Sequence, residues 1–145
     1  MTGAAYVDTS VLAKYYLHER RSDEAQRYLQ GRSARRIGKL VAVEFRCLLA
    51  RRRRMDMIDA ATESRLHALF LGHLGLGLWD VRPVESAMFD TAAALIERLG
   101  HRAVRTLDAL HLAAADLAGV DELATADRQM ADAARAIGLK PVFFG

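Results

Sequence analysis

Apolar residues along this chain come either in short runs or at intervals of three and four, and each pattern predicts a different kind of element. Ala4 to Val7 is a short apolar run followed by Asp-Thr-Ser, which predicts a first strand turning into a helix over about Val11 to Leu17. A polar, charged helix follows over about Ser22 to Leu29. Gly31 and a basic connector then lead to RIGKL, Arg36 to Leu40, the predicted second strand. From Val41 the apolar positions Val41, Phe45, Leu48 and Leu49 recur at helical spacing, and Arg51 to Arg54 close that helix with charge suited to its C-terminal dipole. Asp59 to Leu76 continues as another helix with apolar positions Leu66, Leu69, Phe70 and Leu74, which predicts an αα-hairpin with its predecessor.

LWDVRP, ended by Pro83, predicts a short third strand, and Glu85 to Leu99 a helix stopped by Gly100. Leu107 to Ala118 is Ala/Leu-rich nearly all round, as a helix packed between a sheet and its neighbours should be, and it ends at Gly119. DELATA, Asp121 to Ala126, predicts a fourth strand, Arg128 to Ile137 a last amphipathic helix and LKPVFF a final strand. Strands alternating with helices throughout predict the α/β class: three layers, α/β/α, around a mostly parallel sheet of four or five strands.

With 145 residues and 52% hydrophobic content the chain can bury one sizeable core, so a single domain over residues 1–145 is expected. The single Cys47 can form no internal disulfide; it is read as a buried, inert thiol in a reducing cytosol. Asp8 interrupts the apolar segment that a signal peptide would need, and the longest uncharged apolar stretch, Ala68 to Trp79, is too short to span a bilayer. A soluble, cytoplasmic protein with no membrane partner is expected.

Four acids stand where apolar runs end or helices begin: Asp8, Glu44, Asp108 and Asp127. In an open parallel sheet the carboxyl ends of the strands share one edge, where acids far apart in sequence can converge. Carboxylates crowded there repel unless cations neutralise them, and oxygen-only donors suit Mg²⁺, with Mn²⁺ as a substitute. Net charge is +3, but outside these four acids 21 basic residues face 14 acidic ones. That basic periphery suits a polyanionic substrate gripped by its phosphates.

Each acid also has a plainer reading. Asp8 and Asp127 each precede a helix and are explained as caps, while Asp108 after Thr106, itself a good N-cap, complements a helix dipole. Glu44 is harder to dismiss, because it lies on or beside the apolar face of its helix and a buried, unpaired carboxylate is costly. Arg46, two positions away, points elsewhere, so a metal or an Arg from another element is the expected partner. Asp90, Asp116, Asp121, Glu122 and Asp132 read as solvated acids, and His111 as a packed or hydrogen-bonded histidine rather than a ligand. No HExxH, CxxC, Walker, dinucleotide or GxSxG pattern is present.

Taken in order, YVDTSVLAKYY, IGKLVAVEFRCLLARR, RTLDALHLAAA, LATADRQMADAA and GLKPVFF resemble the PIN-domain ribonucleases, and among them the VapC toxins of toxin-antitoxin pairs. The resemblance spans nearly the whole chain. It implies a PIN-like fold and a metal site made of Asp8, Glu44, Asp108 and Asp127, with Thr9 or Ser10 and Thr125 as supporting hydroxyls. It further implies Mg²⁺-dependent endoribonuclease activity, in which metal-activated water attacks an RNA phosphodiester. A cognate VapB-type antitoxin placing an Arg against the acids, and a homodimer, complete the expectation. Similar sequences often carry Ser where this chain has Gly38.

Arg46, Arg51, Arg52 and Arg105 are candidates to hold the RNA backbone, with a solvated helix end as the alternative. The apolar hairpin from Val41 to Leu76 is the candidate surface for antitoxin or dimer contact, although burial in its own core accounts for it equally well. Two rivals remain: a non-catalytic PIN-like module that binds RNA or protein, and a different Mg²⁺-dependent phosphoryl-transfer enzyme. Retention of four crowded carboxylates counts against the first, and the small size against a flap nuclease.

Overall fold

In a computed structural model, which describes residues 3–145, five strands alternate with seven helices. Strand β1 (Ala5–Val7) leads to α1 (Thr9–Tyr16) and α2 (Ser22–Gln30), then β2 (Arg35–Gly38) to the hairpin α3 (Leu40–Arg54) and α4 (Ala60–Gly75). Strand β3 (Asp80–Arg82) is followed by α5 (Ser86–Leu99) and α6 (Thr106–Leu117), β4 (Glu122–Thr125) by α7 (Arg128–Ala136), and β5 (Lys140–Phe143) closes the chain.

All neighbouring strands pair in parallel, in the order β3-β2-β1-β4-β5. Helices must therefore carry the chain back across the sheet after each strand. Strand residues alternate between the two faces: Tyr6 and Leu123 join a core with α5, α6 and α7, while Val7 and Ala124 join one with α1 to α4. These are the three layers. From β1 the chain grows outward through β2 and β3, then returns to the other flank of β1 with β4 and β5. The reversal lies between β1 and β4, and in such sheets the crevice beyond the strand ends at the reversal is where ligands bind.

Most boundaries lie within a residue or two of the sequence reading, and two of the shifts bear on the site. The second strand stops at Gly38 rather than Leu40, because Lys39 already has helical backbone angles (φ −59°, ψ −25°) and Leu40 opens α3. Thr106 does not cap α6 but is its first residue; Arg105 holds the cap position, and its side chain makes no capping bond to the helix backbone.

The buried face of α3 is Val41, Phe45 and Leu49, at four-residue spacing, and it meets α4 through Phe45 and Phe70 rings whose centroids are 5.1 Å apart. Cys47, two positions past Phe45, lies round the helix from that face and is exposed, not buried as expected. Leu69 on α4 is likewise exposed, whereas Leu66 and Phe70 are buried. Glu122 is no freely solvated acid either: Tyr28 donates to it at 2.7 Å and Arg32 pairs with it at 2.9 Å, tying α2 to the start of β4.

Candidate active site

Asp8 sits at the C-terminal end of β1, beside the switch point. Its main chain does what the cap reading requires, accepting from Val11 and Leu12 N–H groups, but its side chain makes no bond to the helix backbone. Instead the carboxylate Oδ2 accepts from the hydroxyls of Ser10 at 3.0 Å and Thr125 at 2.8 Å. Those hydroxyls in turn accept from the backbone N–H groups of Ala126 (2.9 Å) and Asp127 (3.0 Å). The β1–α1 corner is thereby stitched to the β4–α7 corner. Asp8 is only 7% exposed, and among the described residues no donor reaches its Oδ1 and no cation pairs with it. Burial drives its pKa above the ordinary carboxylate value, and neither the His111 charge nor the two hydroxyls fully offset that rise.

Glu44 projects from α3 toward the same edge. Its Oε1 accepts from Thr9 at 3.0 Å and forms a short hydrogen bond with His111 Nε2. The expected metal or distant Arg is thus replaced by a histidine from α6 and a hydroxyl from α1. Burial alone would raise Glu44, but the His111 bond and charge, with the Thr9 hydroxyl, carry its pKa below the usual value. His111 is 1% exposed, and its Nδ1 bonds the Tyr6 hydroxyl at 2.7 Å. Burial would lower its pKa, yet the Glu44 bond and the negative charges of Asp8, Glu44 and Asp108 raise it. Three acids from three parts of the chain therefore act on one imidazole.

Asp108 lies in the first turn of α6 and Asp127 at the N-terminus of α7. Arg105 reaches both, its Nε 3.3 Å from Asp108 and its Nη2 3.7 Å from Asp127. The cap reading of Asp127 is correct as far as it goes: Oδ1 accepts from Gln129 N at 2.9 Å and Met130 N at 3.3 Å. Asp127→Ala should therefore cost about 1 kcal/mol of stability by loss of the cap, measurable by urea unfolding, whatever else it does.

Sequence reading missed Tyr6, while its view of His111 as a packed or hydrogen-bonded histidine holds, since both ring nitrogens are bonded and the ring is buried. The available signal for His111 was its place one turn after Asp108 on the same helix face; Tyr6 had none, being 105 positions away from its partner. The arginines divide. Arg46 pairs with Glu63 at 3.7 Å and Arg52 with Glu19 at 3.2 Å, so two candidates are engaged within the protein. Arg51 is exposed and Arg105 stands over the acids.

Among the described residues no three His, Cys, Asp or Glu side chains converge on a ready-made ion position. Glu44 is turned to His111, and Asp108 and Asp127 to Arg105. The donor chemistry nonetheless fits a hard divalent cation: carboxylate oxygens only, around a buried Asp8 that, among the described residues, no cation bonds directly.

A PIN-domain family model matches residues 5–136. The chain belongs to the PIN-domain family. Ribonuclease VapC46 of Mycobacterium tuberculosis is 35% identical over 139 residues, 94% of each chain. Among solved structures, Mycobacterium tuberculosis VapC20, described as a Sarcin-Ricin loop cleaving toxin, has 21% identity and a TM-score of 0.70, over 89% of this chain and 94% of that one. VapBC2 from Rickettsia felis, bound to a DNA fragment from their promoter, has 12% identity and a TM-score of 0.67, over 98% and 99%. FitAcB from Neisseria gonorrhoeae has 16% identity and a TM-score of 0.64, over 94% and 95%. At these identities the structures establish the PIN fold, five parallel strands between helical layers, and VapC46 ties the chain to the VapC ribonucleases.

Proposed function

We infer that this protein is a VapC-type endoribonuclease toxin whose single catalytic domain hydrolyses RNA phosphodiester bonds with Mg²⁺, or Mn²⁺ in its place. The observation that carries this reading is Asp8: a buried acid at the sheet's switch point, held by two hydroxyls, with Glu44 and Asp108 close enough to act on the same imidazole. Asp8 and Asp108 would hold the metal, with Glu44 and Asp127 completing the shell directly or through water. A divalent ion there supplies a lowered pKa for bound water and charge neutralisation at the scissile phosphate.

The chain's own groups prepare that site. Ser10 and Thr125 fix the orientation of Asp8, and Thr9 and His111 that of Glu44. Arg105 is the internal counter-ion of Asp108 and Asp127, and its exposed guanidinium would pair with an RNA phosphate if those acids held a metal. Arg51, exposed in the last turn of α3, is a further candidate phosphate contact.

A cognate antitoxin of VapB type is the proposed partner, since VapC proteins occur in such pairs, and a second copy of the chain is the proposed dimer partner. The α3–α4 hairpin and its ends offer apolar surface for such contacts: Val43, Met55, Leu71 and Leu76 are all exposed there. Among the described residues no helix is long and apolar enough to cross a membrane.

Removal of metal tests the reading. Single-stranded and structured RNA should be cut with Mg²⁺ and left intact with EDTA, cleavage returning on metal readdition; cleavage that survives EDTA would sink it. Binding of RNA without cleavage under any metal would favour the non-catalytic module instead.

A further inference from the structure

We propose that Tyr6 and His111 are positioning residues that hold the Glu44 carboxylate at the acidic edge, and that Gly38 supplies the clearance their alignment needs. The proposal rests on the nuclease reading above and extends it to residues that bear no acid.

The chain of contacts crosses three elements. Tyr6 on β1 bonds His111 Nδ1 at 2.7 Å, and His111 on α6 bonds Glu44 on α3 through its other ring nitrogen. Tyr6 is 0% and His111 1% exposed, so both are locked by packing and are shielded from solvent. Any buried histidine needs partners at both ring nitrogens, so what distinguishes this one is which groups supply them. Here both are committed, and one lands on an acid whose side chain remains 23% exposed at the site. The same Oε1 also takes the Thr9 hydroxyl at 3.0 Å, which leaves the outer part of the carboxylate to face a ligand. Groups of this kind, set behind a ligating carboxylate, fix its orientation and so tune affinity and rate.

Gly38 is the independent observation. It ends β2, where β-branched or aromatic side chains would favour the strand more than glycine does, and glycine within a strand often marks a close approach. A Cβ at this position would lie 2.6 Å from the Tyr6 hydroxyl oxygen but 3.7 Å from the ring carbon that bears it. Only the hydroxyl claims the space. A side chain at position 38 and the Tyr6 hydroxyl therefore exclude each other, and this chain keeps the hydroxyl.

Tyr6→Phe, Gly38→Ala and the double variant form the test, read by kcat and KM for RNA cleavage, by Mn²⁺ affinity of the metal-free protein in calorimetry, and by Tm. Tyr6→Phe should lower kcat and Mn²⁺ affinity about tenfold, with KM unchanged. Gly38→Ala should do the same in the wild-type background, where it displaces the hydroxyl, but add less than about twofold in the Tyr6→Phe background, where the contact becomes an ordinary one. In the wild type, a His111 ring N–H signal protected from solvent exchange is expected in NMR spectra, which needs no variant to fold. Unchanged kcat and Mn²⁺ affinity in Tyr6→Phe, losses that multiply in the double variant, or an unprotected ring N–H would each overturn the relay while leaving an active wild type as a nuclease. A wild type that neither cleaves RNA nor binds Mn²⁺ would remove the nuclease reading and this proposal with it.

Discussion

Asp8→Asn is expected to reduce RNA cleavage by on the order of a hundredfold or more, while making the metal-free protein more stable by about 1 kcal/mol at neutral pH. The two effects have one cause. Burial opposes ionisation of Asp8, the His111 charge offsets that only in part, and no cation among the described residues pairs with it directly. Asparagine keeps an oxygen for the Ser10 and Thr125 hydroxyls and puts an amide where the open Oδ1 now is, so the fold keeps its two bonds and sheds the charge. A divalent ion loses its central oxygen donor.

The pH dependence separates this from a generic stabilisation. The pKa of Asp8 is raised on folding, so its contribution is most favourable below the unfolded value of 3.8 and is lost as pH rises through the folded pKa. The stability advantage of the Asp8→Asn variant should accordingly grow with pH. Glu44 runs the other way, its folded pKa lying below 4.5, so its contribution is present above that value and lost as pH falls through the folded pKa. Both proteins share the Glu44 dependence, and the difference between them reports Asp8 together with His111, whose pKa the Asp8 charge helps to raise. Mg²⁺ should then stabilise the wild type by mass action and leave Asp8→Asn unmoved. Urea unfolding with and without Mg²⁺, from pH 5 to 8, checks all of this; an Asp8→Asn variant that is less stable without metal, or that still cleaves RNA, would contradict it.

The alternation of strands and helices was legible because each element has its own period and most ends carry a local signal, as at Gly100, where the chain takes a left-handed φ of 62° that other residues resist. The end of β2 was not, since Gly38 is there for a hydroxyl contributed by β1 and not for a turn. The four acids were legible as strand-end and helix-start residues. What joins them was hidden by sequence distance: Glu44 and His111 are 67 positions apart, and Asp8 and Thr125 117 apart. Only the strand order brings β1 beside β4, and that order is a property of the whole chain. Cys47 shows the same limit at shorter range, because an apolar stretch says that a helix has a buried face without saying which neighbours share it. Arg46 and Arg52 read as free phosphate contacts until Glu63 and Glu19 come into view from other parts of the chain.

Phe45→Ala should be the most damaging core change on the helix that carries Glu44, costing about 3–5 kcal/mol and lowering Tm by roughly 10 °C. Phe45 is fully buried and its ring packs against Tyr16 at 5.2 Å and Phe70 at 5.1 Å, so it clamps α3 between α1 and α4 at once. Tyr16 in turn takes the Trp79 indole N–H at 2.8 Å and bonds His73 at 2.7 Å. A cavity beneath Phe45 would have aromatic walls pinned by those bonds and unable to collapse into it, which places the cost toward the upper part of that range. Val43, 65% exposed on the same helix, is the control: Val43→Ala should stay within about 0.5 kcal/mol. The position next to Phe45 is Glu44, so a shift of α3 also moves the carboxylate away from His111 and Thr9. Cleavage measured well below the lowered Tm should therefore fall as well, in a protein that is still folded. A small change in the urea midpoint for Phe45→Ala would mean that α3 is held from elsewhere, and full activity alongside a large one would mean that Glu44 keeps its place without the core beneath it.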